Sequence, residues 1–157
     1  MALTDLVWLA TAAYAVHMLE EFELDWRNWA RAVIGLPVEW SDFYVVNSIV
    51  VVLGIVAANL AGHWPALALA FPGLMLINAV FFHILPTIRT RGRFSPGLFT
   101  AVVLFLPIGV VCYHRALATD SVDVAGVVVS FVIAALLMAS PIVLLHIKSR
   151  PYFRQDR

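Results

Sequence analysis

The string HMLEE at residues 17–21 places an imidazole and two carboxylates within little more than one helical turn. In an α-helix, residues three and four positions apart share a face, so His17 would lie beside Glu20 and Glu21, with Tyr14 one turn earlier. Imidazole and carboxylate groups bind zinc, iron or manganese, and they also serve as general acids and bases. Adjacent carboxylates in apolar surroundings need a cation, a proton or a firm hydrogen-bond donor. The string therefore predicts either a metal site or an acid/base site.

The composition predicts that these groups lie in a membrane. Of the 157 residues, 62% are hydrophobic and 13% are charged, and the mean hydropathy is +0.92. Soluble domains are about 45–50% apolar and about 25% charged. Zero net charge argues against a nucleic-acid partner. The single cysteine, Cys112, excludes an internal disulfide. The apolar N-terminus lacks a basic start and a cleavage site, and we expect a retained helix rather than a signal peptide.

The hydropathy pattern predicts an all-α, polytopic transmembrane bundle of about five helices in one domain, residues 1–157. The expected spans cover about residues 6–22, 43–61, 64–88, 98–117 and 124–147. Between the first two spans, aromatic and basic residues recur at helical spacing and predict a short interfacial helix at about residues 24–35. This helix would be either a simple tether or a lid beside the polar cluster.

The basic residues predict the orientation of the bundle. Nine of the ten follow spans one, three or five and would share one side: Arg27, Arg31, Arg89, Arg91, Arg93, Lys148, Arg150, Arg154 and Arg157. Only Arg115 falls on the other side, with Asp120 and Asp123. The positive-inside rule then places the N-terminus outside and the C-terminus in the cytoplasm.

This topology brings further polar residues to the depth of His17. The additional candidates near the cytoplasmic ends are Asn47, Ser48, His83 and His146, with Asn78 further into the membrane. Asn78 and His83 are five residues apart, which separates them by roughly 140° on an ideal α-helix. Both can face one site only where the helix is locally distorted.

The pattern His17-x-x-Glu20-Glu21 in a first membrane helix resembles the HXXEE-domain family of small integral membrane proteins. Later features also resemble that family: Asn47, the pair Asn78 and His83, and Ser95-Pro96-Gly97 after a basic loop. The resemblance extends to about Leu117. It implies a membrane protein but no particular activity, because the family is defined by its pattern rather than by its chemistry.

Three functions are compatible with these residues. The first is a metal-dependent membrane enzyme, a hydrolase or an oxidoreductase, that acts on a lipophilic substrate and uses zinc, iron or manganese. Its candidate ligands are His17, Glu20, Glu21, His83 and His146. Its candidate catalytic residues are Tyr14, His17, Glu20 and Glu21, and the residues expected to contact substrate or support the ligands are Asn47, Ser48 and Asn78.

The second function is a metal-free isomerase or cyclase in which a glutamate acts as general acid and a histidine as base. The third is a transport or structural protein whose polar groups bind a cation or a proton, or hold helices together. The expected partners are membrane lipid, a lipophilic small molecule and, as one option, a second copy of the chain.

Overall fold

A computed structural model describes residues 1–153, and all regular elements within that range are helices. We number the main ones in chain order: α1 (Leu3–Glu23), α2 (residues 26–34), α3 (Trp40–Leu60), α4 (Pro65–Arg89), α5 (Leu98–Ala118) and α6 (Val124–Lys148). The predicted all-α bundle is confirmed. Arg154 and Arg157, which contributed to the charge count, lie outside the described residues.

Four of these helices, α3 to α6, are long and apolar enough to cross a membrane, consistent with an integral, multi-pass membrane protein. Helix α1 has 21 residues and a length of about 31 Å, which matches a hydrocarbon core of about 30 Å. Because it carries Asp5, His17, Glu20 and Glu21, its composition alone does not mark it as a span. Its passage through the membrane stays a prediction.

Helix α1 lies between α3 and α5, whereas α6 packs mainly along α4. One stripe of α1, at spacings of three and four residues, is buried in the bundle: Val7, Ala10, Tyr14, His17 and Glu21. The stripe is apolar near the start of the helix and polar near its end. The polar end of the core-facing stripe thus lies where α1 ends and α5 begins.

Two π-helical turns widen the helices around this polar end, one at Ala79–Ile84 in α4 and one at Ala101–Phe105 in α5. Each turn is followed within two residues by a proline, Pro86 or Pro107. A proline has no N–H and displaces the carbonyl four residues earlier, so it disrupts the regular α-helical ladder. Single π turns of this kind are frequent at functional sites.

Residues 24–38, which we call the strap, cover the same end of the bundle. Trp29 and Leu36 are buried in the strap and pack with Phe82 of α4 and Ile142 of α6. The strap therefore packs against the helix bundle through the side chain of Trp29. Beyond it, Arg27 and Arg31 both form ion pairs with the carboxylate of Glu39.

Candidate metal centre

His17 and Glu21 of α1 and His83 of α4 form a buried cluster whose side chains are exposed by 1%, 5% and 0%. Oε1 of Glu21 lies 3.5 Å from Nε2 of His17 and 3.6 Å from Nε2 of His83. One ligand atom from each residue can be chosen so that all three lie within 4.8 Å of one another. The cluster has the composition and the size of a metal site.

The hydrogen bonds of Thr100 indicate which nitrogen of His17 carries a proton. Nδ1 of His17 lies 2.7 Å from Oγ1 of Thr100. That hydroxyl has only acceptors as its other neighbours, Oε2 of Glu20 at 2.6 Å and the carbonyl of Gly97 at 3.2 Å. Its single proton goes to one of them, so it accepts a hydrogen bond from Nδ1–H of His17. In the neutral imidazole, Nε2 then presents a lone pair to Glu21.

The hydrogen bonds of Ser95 likewise indicate that Nδ1 of His83 carries the proton. Oγ of Ser95 lies 3.1 Å from Nδ1 of His83 and 3.2 Å from the carbonyl of Phe82. Pro86 cannot donate to that carbonyl, which lies four residues earlier, and the serine hydroxyl donates to it instead. Ser95 therefore accepts from Nδ1–H of His83, and Nε2 of His83 also presents a lone pair to Glu21.

With both imidazoles neutral, the cluster consequently brings together three atoms that accept but do not donate. Nε2 of His17 and Nε2 of His83 have no hydrogen-bond partner among the residues that the structure describes. Leaving a buried polar atom unpaired costs about 1–3 kcal/mol. The distances of 3.5 and 3.6 Å exceed the usual 2.7–3.2 Å of a hydrogen bond. They are close to the separation of about 3.4 Å between two ligand atoms on one tetrahedral zinc ion. The donor set fits a metal ion.

Gly97 allows the two imidazoles to approach each other. Its φ of +93° favours glycine, and its backbone N–H donates to Oε1 of Glu20. A Cβ at this position would lie 2.6 Å from Cε1 of His83 and 2.7 Å from Cε1 of His17. The turn before α5 must therefore pass against both rings without a side chain.

Glu20 has a different environment from Glu21. Its carboxylate accepts hydrogen bonds from the backbone N–H groups of Gly97, Phe99 and Thr100 at 2.8–3.1 Å, as well as from the Thr100 hydroxyl. These are the N–H groups that a helix leaves unpaired at its start. Glu20 therefore caps α5, and the structure does not group it with His17, Glu21 and His83.

A cavity of about 90 Å³ adjoins the cluster, and Glu21 lines it together with Tyr14, Asn47 and Asn78. The hydroxyl of Tyr14 donates to Oδ1 of Asn47 at 2.6 Å, while Oδ1 of Asn78 is buried without a partner among the described residues. The π turn in α4 lets Asn78 line this cavity while His83 reaches Glu21. This π turn is the local distortion that Asn78 and His83, five residues apart, require in order to face one site.

Two candidate residues lie elsewhere. His146 is exposed, and its Nδ1 bonds to the carbonyl of Ile142 at 2.8 Å. Ser48 is exposed on α3. Conversely, Thr100 was not among the candidates although it contacts both His17 and Glu20. The one signal for it is its position three residues after the Ser95-Pro96-Gly97 turn.

Comparison with known proteins identifies the family. The family model described as a protein of unknown function with HXXEE motif matches residues 8–112, about two thirds of the chain. No curated protein and no solved structure matches the chain. The matched region contains all three residues of the buried cluster, the capping Glu20 and the turn at Gly97. The chain belongs to the HXXEE family, whose function is unknown.

Proposed function

We propose that this chain is a membrane-embedded enzyme that depends on a divalent transition metal held by His17, Glu21 and His83. Its substrate would be lipophilic, because the adjoining cavity lies among apolar helices. The observation that carries this proposal is the convergence of three buried acceptor atoms. Two of them have no hydrogen-bond partner among the described residues, and each lies 3.5 or 3.6 Å from Oε1 of Glu21, a distance suited to a shared cation.

The types of ligand at the site limit the reactions that a bound metal could catalyse. Two imidazoles and one carboxylate leave a coordination position open, as in catalytic zinc sites and in non-haem iron oxygenases. A metal bound there would polarise a carbonyl or activate a water molecule. Within the chain, Thr100 and Ser95 would keep the two imidazoles in the ligating tautomer, and Glu21 would present the ion to the cavity.

Elemental analysis of the full-length protein, purified without a metal column, is the direct test. We expect about one equivalent of zinc, iron or manganese per chain, and loss of that metal in His83→Ala and Glu21→Gln. His146→Ala is the matched control, because it removes an exposed imidazole at a similar depth. Metal-free wild-type protein, or an equal metal content in His83→Ala and His146→Ala, would contradict the proposal.

A second candidate function uses the same residues without a metal. Glu21 contacts two imidazoles and also lines the cavity, so it could pass a proton between a histidine and a substrate. An isomerase or cyclase of this kind would keep its activity after chelation and would lose it in Glu21→Gln. Loss of activity on chelation, with recovery on adding metal back, favours the metal-dependent enzyme.

We also propose that the site lies at the cytoplasmic side of the membrane. The basic residues in the strap after α1, and those at or just beyond the ends of α4 and α6, lie at the end of the bundle that the strap covers. Cysteines introduced as Arg91→Cys and Asp120→Cys should react with an impermeant reagent from opposite sides of a sealed vesicle. The native Cys112 is fully buried and should remain unreactive. Labelling of both positions from one side would refute this orientation.

A further inference from the structure

An apolar groove lies between α3 and α6; both helices contact α4, whose Leu74 also lines the groove, but α3 packs mainly on α1. Its walls include Val45, Ile49, Leu53, Leu137 and Leu144. Along α3 the groove runs from Ser41 to Leu53, which corresponds to about 18 Å of helix. One leaflet of a bilayer core measures about 15 Å, half of the roughly 30 Å total. The groove is therefore as long as one leaflet is deep, and it begins at the end of the bundle where the metal ligands lie.

The groove adjoins the cavity beside Glu21. The residues that line both spaces are Asp42, Val46, Val50, Leu74, Leu137, Pro141 and Leu145. The two spaces differ in size, with about 620 Å³ in the groove and about 90 Å³ in the cavity. A molecule that occupies both would have a long apolar part in the groove and a small group in the cavity.

The charges of the cavity restrict the chemistry of that small group. The charged side chains that line it are Glu21 and Asp42, and no lysine or arginine of the described chain does so. In the metal-free protein an anionic head group would meet the Glu21 carboxylate in apolar surroundings, which is unfavourable. Lys148 at the mouth of the groove is already paired with Asp42 at 2.6 Å.

Two residues that line the cavity have a buried polar atom without a partner among the described residues. One is an acceptor, Oδ1 of Asn78, and the other is a donor, Nε1 of Trp26, whereas the hydroxyl of Tyr14 is engaged with Asn47. An unpaired acceptor and an unpaired donor favour a ligand that can both donate and accept. A hydroxyl or amide head group does both, and an ionised carboxylate or phosphate only accepts.

We infer that the substrate is a single-chain lipid with a small, uncharged, hydrogen-bond-donating head group, such as a long-chain alcohol. It enters sideways from the leaflet between α3 and α6, lays its chain in the groove and brings its head group to Asn78 beside Glu21. The inference rests on the proposed function for the reaction that follows, but binding of the lipid does not require the metal.

Photolabelling of the full-length protein in phosphatidylcholine nanodiscs tests this inference. The probe is hexadecanol with a diazirine in its chain, and the labelled residues are mapped by mass spectrometry. We expect labels on the groove faces of α3 and α6. In chelator-treated protein, unlabelled hexadecanol should compete about tenfold better than hexadecanoate, because the carboxylate would have to enter beside the uncompensated carboxylate of Glu21. Labels spread evenly over lipid-facing surfaces, or equal competition by hexadecanoate, would overturn the inference.

Two substitutions on α3 provide a matched pair. Ile49→Trp fills the groove, whereas Ile55→Trp places the same change on a face of α3 about 120° away that lines neither space. We expect groove labelling to fall about tenfold in Ile49→Trp and to remain in Ile55→Trp. Equal labelling of the two variants would contradict the lateral route.

Metal content measured on the same samples separates this inference from the proposed function. Wild-type protein that retains metal but shows no competable groove labelling refutes the lipid inference alone. Protein that is labelled as expected but holds no metal supports the lipid inference and refutes the metal proposal.

Discussion

Within residues 1–153, the bundle contains two buried polar clusters, one at each end, and they differ in how their hydrogen bonds are satisfied. At the end remote from the strap, the hydroxyl of Tyr113 lies 3.0 Å from the carbonyl of Leu69 and 2.9 Å from Oγ of Ser130. Ser130 in turn bonds to the carbonyl of Val127 at 2.7 Å. At the strap end, His17, Glu21 and His83 direct acceptors at one another.

On the function proposed above, this difference separates a structural network from a metal-binding one. Neutral hydroxyls that bond to carbonyls satisfy the buried polar groups and connect α4, α5 and α6. Acceptors that face each other without a shared proton do not stabilise the fold, and a cation between them would satisfy them. We therefore expect changes in the strap-end cluster to affect ligand binding and changes in the remote cluster to affect stability.

The largest effect should come from Gly97→Ala. Its Cβ would overlap both imidazoles, and we expect almost complete loss of bound metal together with destabilisation by about 1–3 kcal/mol beyond backbone strain. Gly92→Ala is the control, because Gly92 has a similar φ of +96° but a Cβ added there would meet nothing within 4 Å. Both variants are compared by elemental analysis and thermal unfolding. Equal effects would show that strain, rather than contact with the imidazoles, is responsible.

A smaller effect is expected from Thr100→Val, which removes the hydroxyl that accepts from His17. Loss of such a supporting hydrogen bond typically weakens metal binding about 10- to 100-fold. The control is Thr11→Val, since Thr11 is also buried but bonds only within α1, to the carbonyl of Val7. Competition with a chelator measures the affinity, and Thr100→Ser should restore it. Unchanged affinity in Thr100→Val would remove Thr100 from the site.

The remote cluster should respond in the opposite way. Tyr113→Phe deletes its central hydroxyl and should lower the free energy of unfolding by about 1 kcal/mol. The metal content should stay at the wild-type level. A loss of metal in this variant would mean that the two clusters are coupled and that the distinction between them does not hold.

The smallest expected effect is on the exposed ion pairs between the strap and Glu39. They form a third, solvated polar cluster to compare with the two buried ones. Hydrogen bonding to Arg27, followed by that to Arg31, lowers the pKa of Glu39 below its ordinary value of 4.5. A carboxyl with a lowered folded-state pKa stabilises the fold above the unfolded-state pKa, and this contribution disappears as the pH falls through the folded-state value. Protection of residues 24–38 from proteolysis should therefore weaken in acid below about pH 4.5. Glu39→Gln should remove that pH dependence, and persistence of the dependence in this variant would assign it to another group.

The sequence predicts the depth of the polar residues in the membrane better than it predicts which face of each helix turns towards the site. Helix lengths and the distribution of basic residues place His17, His83 and His146 at one depth, but only the first two share a cluster. Helix α6 is apolar on nearly every side, so its pattern does not determine which face turns inward. The rotation of that helix is decided by its packing on α4.

Glu20 and Glu21 illustrate the same limit at the level of single residues. Both follow His17 at helical spacing, and the sequence treats them as equivalent ligands or catalytic groups. Their roles separate only when the start of α5 arrives beside Glu20 and supplies it with three backbone N–H groups. Such a contact between residues nearly eighty positions apart leaves no local signal in the chain.

The capping role of Glu20 also has a consequence for charge balance. The Glu20 carboxylate lies at the start of α5, the positive end of the helix dipole. A divalent cation on Glu21, with Glu20 close by, would make the two carboxylates and the ion electrically neutral as a group. A monovalent ion would leave an uncompensated negative charge, and a trivalent ion a positive one, in a medium where such charges are expensive. The charge of the ion, more than its radius, would then determine which metal binds at this site.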